Sequence, residues 1–259
     1  MSTLRPMALV TGSSSGLGEC FARRLAASGT DLVLVARNRE AMERLGDELA
    51  DRHGARAEVM VADLAQRRDL GEVAERIRAG DVDTVVNNAG FGFYGPVVSH
   101  RADQEIGMVD VDVAAVVALS HAAMEVMVPR GSGGLLNVAS VAGFAATPGS
   151  ATYSAAKGFV LMFSEALHDE VLDAGVKVSV LCPGFTRTNF QPRAGITAAG
   201  LPSFVWAEAT PVVEAGLAAL RRNQAVCVPG LLNKVAAASP RFGPRPFVRW
   251  VAGRVTQRL

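Results

Sequence analysis

Short runs of β-branched and apolar residues alternate with longer stretches of helical period along the chain. Met7 to Val10, Leu32 to Ala36, Val59 to Ala62, Val82 to Val86, Leu135 to Ala139 and Val176 to Cys182 are nearly continuous in apolar character. That is the pattern of strands covered on both faces, because an alternating pattern would mark a sheet with one face in water. Between them, Leu17 to Ala27, Glu40 to Arg52, Leu70 to Arg78, Val111 to Val128 and Tyr153 to Asp173 repeat apolar positions at three- and four-residue intervals. Strand, helix and strand in regular alternation predict an α/β fold, a parallel sheet with helices on both sides joined by right-handed crossovers, and the length of 259 residues allows one large domain or two small ones.

The pattern breaks near Phe185. From there to Trp206, Pro192, Gly195, Gly200 and Pro202 punctuate the chain, and an irregular segment of this kind in an α/β domain predicts a substrate lid, bounded here at 185–208. Pro211 to Arg222 returns to helical period, and Gln224 to Val228 reads as an edge strand. The tail at 229–259 carries Arg241, Arg245, Arg249, Arg254 and Arg258 beside Phe242, Phe247 and Trp250. It is expected to pack as a C-terminal helix on the domain or a subunit; a peripheral membrane contact is the competing reading.

Composition narrows the function. The chain has 49% apolar and 20% charged residues, which excludes disorder, and 26 basic against 25 acidic side chains, which removes the electrostatic ground for a nucleic-acid partner. Cys20, Cys182 and Cys227 are scattered through apolar runs and read as buried free thiols of a reducing, cytoplasmic setting. His53, His100, His121 and His168 show no metal-ligand spacing, so no metal is expected. The uncharged stretch from Gly131 to Ala156 is too broken by glycine and proline to span a membrane, and the N-terminus shows no leader pattern.

Three clusters carry chemistry. The first strand runs into Thr11-Gly-Ser-Ser-Ser-Gly-Leu-Gly18 and then a helix. Glycines at 12, 16 and 18 allow a tight turn and close backbone approach by a pyrophosphate seated on the helix N-terminus, so Gly12, Ser14, Ser15, Gly16, Leu17 and Gly18 are assigned to a dinucleotide. The second strand ends in Ala36-Arg37-Asn38-Arg39, without the carboxylate that would bind a ribose 2′-hydroxyl. A guanidinium at Arg37 pairs instead with a 2′-phosphate, which favours NADP(H) over NAD(H). Finally, Tyr153 and Lys157 share a helix face and Ser140 closes the preceding strand. A cation near a phenol lowers its pKa from about 10, making it a usable general acid or base.

Taken together with Asp63-Leu64, Asn87-Asn88-Ala89-Gly90 and Pro183-Gly184 followed by Thr186 and Thr188, these elements resemble the short-chain dehydrogenase/reductase family over nearly the whole chain, and most nearly its branch of 3-oxoacyl and hydroxysteroid reductases. The resemblance implies a Rossmann-like doubly wound parallel sheet flanked by helices, built as a single domain over residues 1–259, with a nicotinamide cofactor, no metal, and assembly as a homodimer or homotetramer. It also implies that Asp63 and Leu64 meet the adenine, that Asn88, Ala89 and Gly90 line the cofactor cleft, and that Pro183, Gly184, Thr186 and Thr188 hold the nicotinamide end beside Tyr153 and Lys157. In catalysis it implies Ser140 as donor to the substrate oxygen, Tyr153 as general acid/base and Lys157 as its partner. One position departs from the family: Asp112 stands where an asparagine supports a water relay to the lysine. A carboxylate there opposes phenolate formation on Tyr153.

The substrate is expected to be a small hydrophobic ketone or secondary alcohol, since Phe91, Phe93, Tyr94, Phe144, Tyr153, Phe185, Phe190, Phe204 and Trp206 all fall where a pocket should lie. A second reading, an NADP(H)-binding sensor without turnover, draws on Asp112 and the Arg-rich tail but has no use for Ser140, Tyr153 and Lys157 together. A related epimerase or dehydratase would need residues for a larger substrate domain, which the chain lacks.

Overall fold

The computed structural model describes residues 5–188, 202–242 and 244–256. Seven parallel strands form one sheet: β1 (Met7–Thr11), β2 (Asp31–Ala36), β3 (Ala57–Val61), β4 (Thr84–Asn87), β5 (Gly133–Val138), β6 (Val176–Leu181) and β7 (Val226–Cys227). Their spatial order is β3-β2-β1-β4-β5-β6-β7, so the winding reverses between β1 and β4. Register is continuous outward from that point, with Val10 opposite Leu34 on one side and Val86 on the other.

Helices cover both faces. One core joins Ala8, Val10, Leu34 and Leu136 to Phe21, Leu45, Val213 and Leu220, side chains of α1 (Gly16–Ala27), α2 (Arg39–His53) and α7 (Ala209–Arg221). The other joins Leu9, Val33, Val85 and Leu135 to Val73, Ile77, Leu119 and Met127, from α3 (Arg67–Arg78) and α5 (Ala115–Arg130). Neighbouring strand residues enter opposite cores, which is why the central strands are apolar at every position; β2 is buried throughout. β3 at the sheet edge is only partly covered, with Val61 exposed.

The helix expected over Val111 to Val128 is longer. α4 (Ala102–Val109) continues through a π-helical turn at Asp110–Ala114 into α5. The whole stretch Ala102–Arg130 is, by length and composition, apolar enough to cross a membrane, but half of its most apolar window is buried in this fold. That burial, and the packing of Ala115, Leu119 and Met127 on the sheet, explain the hydropathy as that of a core helix. α6 (Ala151–Glu170) packs beside it, and the tail folds into α8 (Leu231–Phe242) and α9 (Arg245–Thr256). Pro246 lies in the first turn of α9, where a missing N–H costs nothing, whereas Pro240 lies inside α8 and removes a backbone bond close to that helix's end. Of the three cysteines Cys182 and Cys227 are buried, whereas Cys20 is only half-buried, because α1 turns it toward Thr210 of α7 at the domain surface.

Candidate active site

Every residue assigned to chemistry from the sequence lies at the carboxyl end of a strand or on the helix that follows. The Gly-rich turn leaves β1, Arg37 follows β2, Asp63 follows β3, Asn88 to Gly90 follow β4, Ser140 follows β5 and Pro183 to Thr188 follow β6. A parallel sheet collects those ends on one edge, and the reversal between β1 and β4 opens a crevice there.

The turn after β1 is tightly constrained. Gly12 and Gly16 have φ of +68° and +62°, in the left-handed region that glycine tolerates. Gly18 is needed for a different reason: a side chain on it would overlap the Gly12 carbonyl oxygen and come within 2.6 Å of Asn88 Nδ2. Thr11 ties this turn to the segment after β4, its Oγ1 accepting from the backbone N–H of Asn88 and of Ala89, each at 2.9 Å. Asn88 Nδ2 donates back to the Thr11 carbonyl at 2.8 Å. Whereas Asn38 caps α2 through a 3.0 Å bond from the Ala41 N–H, α1 begins without a side-chain cap. An uncapped N-terminus behind a glycine turn fits the phosphates of a dinucleotide. Arg37 is exposed and makes no ion pair among the described residues, so its guanidinium is available to a 2′-phosphate. Asp63 folds into a local turn, accepting from the Ala65 N–H at 3.1 Å beside the buried Leu64.

Gly90 and Gly92 carry the crevice to the catalytic helix. A Cβ on Gly90 would lie 2.8 Å from Asp112 Oδ1 and 3.0 Å from Lys157 Nζ; one on Gly92 would lie 2.8 Å from the Tyr153 ring. Sequence reasoning misses Gly92, for which the Gly-Phe-Gly repeat is the only local signal. Tyr153 is 7% exposed and Lys157 4%, one turn apart on α6, with Nζ 5.7 Å from the centre of the phenol ring. Ser140, half-buried, accepts from the Ala142 N–H at 3.2 Å and shares a hydrogen bond with the Tyr153 hydroxyl. Tyr153 and Lys157 share a face of α6, as a spacing of four predicts, and Ser140 stands beside the phenol.

Their electrostatics follow the expectation for Asp112 rather than that for a lone Lys157 cation. Burial, and then the Asp112 carboxylate, hold the Tyr153 phenol above its ordinary range; the Ser140 bond only partly offsets them. Lys157 does not act on Tyr153 as a lone cation because Asp112 Oδ2 sits 3.0 Å from its Nζ. That contact is an ion pair in distance but poorly directed for a hydrogen bond, and Nζ also donates to the Val138 carbonyl at 3.3 Å. Asp112 is fully buried, its Oδ1 accepts from the Phe91 N–H at 3.0 Å, and burial pushes its own pKa up against the pull of Lys157.

Two supports are visible only in three dimensions. Under the site, Asn87 donates to Ser120 (3.2 Å) and Asn137 (3.0 Å), Asn137 to Ser164 (2.9 Å), and Ser164 to the Val160 carbonyl (2.6 Å), all buried. This network fixes β4, β5, α5 and α6 relative to one another. Beside the site, Asn233 of α8 presses on Gly184, where any side chain would overlap its amide. The expected lid at 185–208 is described only at its two ends, which pair: Thr186 bridges Ala207, and Arg187 N–H donates to the Ala207 carbonyl at 2.9 Å. Phe185 packs on Trp206 with ring centres 5.5 Å apart. Thr188 abuts Gly16 across the crevice. Phe204 is exposed, and Phe190 lies outside the described residues. Among the described residues no group of side chains could hold a metal.

A parallel seven-stranded sheet with a glycine turn at its switch point and a Ser, Tyr and Lys set beside it defines a nicotinamide-dinucleotide oxidoreductase architecture. The short chain dehydrogenase family model matches residues 6–197. The chain belongs to that family and is an oxidoreductase acting on CH–OH or C=O groups. It is 31% identical over 192 residues to a very-long-chain 3-oxoacyl-CoA reductase of Anas platyrhynchos, covering 71% of this chain and 61% of the relative. It therefore spans less than two thirds of that relative's length. Among solved structures it resembles a short-chain dehydrogenase of Sphingobium yanoikuyae in complex with NADPH (36% identity, 87% and 88% of the two chains, TM-score 0.83). It also resembles a bulky-bulky ketone specific alcohol dehydrogenase of Comamonas testosteroni (34% identity, 88% of each chain, TM-score 0.80).

Proposed function

We propose that this protein is an NADP(H)-dependent oxidoreductase that interconverts a hydrophobic ketone and its secondary alcohol, with Tyr153 as general acid/base. The observation that carries the reading is the meeting of Ser140, Tyr153 and Lys157 in a buried site joined without a gap, through Gly90 and Asn88, to the Gly-rich turn. The NADPH complex of the Sphingobium relative and the exposed guanidinium of Arg37, which makes no ion pair among the described residues, support NADP(H) over NAD(H). The ketone preference named for the Comamonas relative and the apolar side chains of Phe91, Phe93, Phe185 and Trp206 support a bulky apolar substrate.

The residues divide the work by position. Gly12 to Gly18 would cradle the pyrophosphate, Arg37 the 2′-phosphate, Asp63 and Leu64 the adenine, and Lys157 with Pro183 to Thr188 the nicotinamide ribose and ring. The bound nicotinamide supplies or accepts the hydride. Ser140 donates to the carbonyl oxygen and Tyr153 passes its proton to the same atom. Both donors are worth most when that oxygen carries developing negative charge, so they lower the barrier more than they tighten substrate binding. Tyr153→Phe removes the proton and keeps the ring: turnover should fall by orders of magnitude while NADPH binding stays within a few-fold. Retained turnover overturns the assignment, and a full biological effect without turnover returns the sensor reading.

An apolar strip on the outer face supports the homo-oligomer. Ile106 and Val109 of the long helix and Phe159 and Met162 of α6 are exposed around a groove that also includes Val113, Thr152 and Ala155. Burying such a strip against its own copy is the simplest way to remove it from water. The C-terminal helices, with Leu231, Leu232, Val235 and Trp250 exposed, fit a wall beside the substrate entrance, since α8 packs on the Val141–Phe144 turn that follows Ser140.

A further inference from the structure

We propose that Asp112 is a positioning residue that closes Lys157 into a buried ion pair of zero net charge and thereby keeps Tyr153 in its protonated, proton-donating form, which suits the site to carbonyl reduction at neutral pH. Geometry carries the argument. Asp112 and Lys157 are both buried, their charged atoms are 3.0 Å apart, and a side chain at Gly90 would run into both, so the crevice segment lies directly against the pair. Asp112 is locked on its other oxygen by the Phe91 N–H and sits in the π-helical turn Asp110–Ala114.

Carboxylate with ammonium sums to zero, so while Asp112 is ionised Tyr153 faces no uncompensated cation. Among the described residues, the groups that face Tyr153 include Lys157 on its own helix, Asp112 from the π turn, the neutral Ser140 hydroxyl after β5, and the neutral Tyr94 ring 6.3 Å away from the crevice segment. Facing Lys157 from β6 is Cys182, whose thiol burial keeps protonated. Of the charges on these described groups only that of Lys157 could stabilise a phenolate, and Asp112 pairs with it, which favours Tyr153 as an acid. Reduction uses that resting form directly, whereas oxidation needs the phenolate and is displaced to alkaline pH.

The functional meaning rests on the reductase reading, but the charge balance has a test that needs neither substrate nor cofactor. Tyr94 and Tyr153 are the two tyrosines of the chain. In a Tyr94→Phe background the tyrosinate absorbance titration reports Tyr153 alone, and Tyr153→Phe supplies the blank. Asp112→Asn keeps the shape and the Phe91 bond but leaves Lys157 with its full charge. It should move the Tyr153 titration down by about one pH unit or more, the shift expected from an unmasked cation within a few ångströms. Asp112→Ser, smaller and equally neutral, makes the same comparison if the asparagine variant does not fold. An unchanged or upward titration in the folded variant overturns the inference. A downward shift in a protein whose Tyr153→Phe variant keeps its turnover upholds the pair and sinks the reductase mechanism instead.

Discussion

Gly18→Ala opposes two effects of known sign on one methyl group. In a helix interior alanine is worth about 1 kcal/mol more than glycine, so propensity alone predicts a more stable protein. The structure predicts the reverse. The added carbon would overlap the Gly12 carbonyl oxygen, lie 2.7 Å from the Gly12 carbonyl carbon and come 2.6 Å from Asn88 Nδ2. The first two are backbone, which cannot swing aside as a flexible side chain can, and the third holds the 2.8 Å bond to the Thr11 carbonyl. Overpacking against such neighbours costs about 1–3 kcal/mol, and weakening the Asn88 bond adds about 1 kcal/mol. After the propensity gain the variant should be less stable by about 1–3 kcal/mol. In a chain of this size that lowers Tm by roughly 2–10 °C. NADPH affinity should fall as well, because the same turn carries the pyrophosphate. Gly71→Ala is the control. Gly71 is exposed in α3, keeps negative φ and has nothing within 4 Å of where an added methyl would lie, so only propensity acts and Tm should rise. Thermal melts of the two variants beside the parent protein decide the matter. A Gly18→Ala protein as stable as the parent would mean that the turn is not packed as described.

Arg37→Ala should weaken NADPH about 5- to 50-fold while leaving NADH within two-fold, as loss of one exposed charge-assisted phosphate contact predicts. Added salt should shrink the difference, and equal losses for both cofactors would remove Arg37 as the 2′-phosphate partner. Asn137→Ala strips Asn87 and Ser164 of buried partners and should destabilise by about 2–4 kcal/mol in urea unfolding; a cost below about 0.5 kcal/mol would show that the network is not a support. Burial opposes the charge of Asp31, but the Arg56 N–H (2.9 Å), the Arg56 guanidinium (2.8 Å) and nearby Arg5 outweigh it and hold its pKa below the ordinary carboxylate value. Its stabilisation is therefore present above about pH 4 and lost as pH falls through the folded-state pKa. Asp31→Asn should accordingly lower Tm at pH 7, with the gap closing in acid; a gap that is constant with pH would show that the charge is not the cause. Met162→Glu should reduce the molecular mass seen by light scattering if the strip on the long helix and α6 joins subunits, and an unchanged mass would locate that contact elsewhere.

Much of this protein is legible from the chain alone. Continuous apolar runs reveal strands buried on both sides, and the helical period between them reveals the layers, because both signals depend only on neighbours in sequence. The glycine turn, Ser140, Tyr153 and Lys157 are legible for the same reason: each sits just after a strand or within one helical turn of another. Where the reading goes astray, the deciding partner is remote. Tyr153 and Lys157 four residues apart suggest a cation acting on a phenol, and the resemblance already sets Asp112 against it; that burial is the larger opponent, and that Asp112 reaches Lys157 from a π turn on another helix, no local pattern announces. The length of that helix, the half-exposure of Cys20, the Asn87 to Ser164 network and the pressure of Asn233 on Gly184 are likewise products of packing. By itself the sequence determined which elements form and which chemical groups stand at the strand ends. The tertiary structure alone decided which charges face one another, because the electrostatic energy of a buried site depends on distance through space and on exclusion of water, and neither is a property of position along the chain.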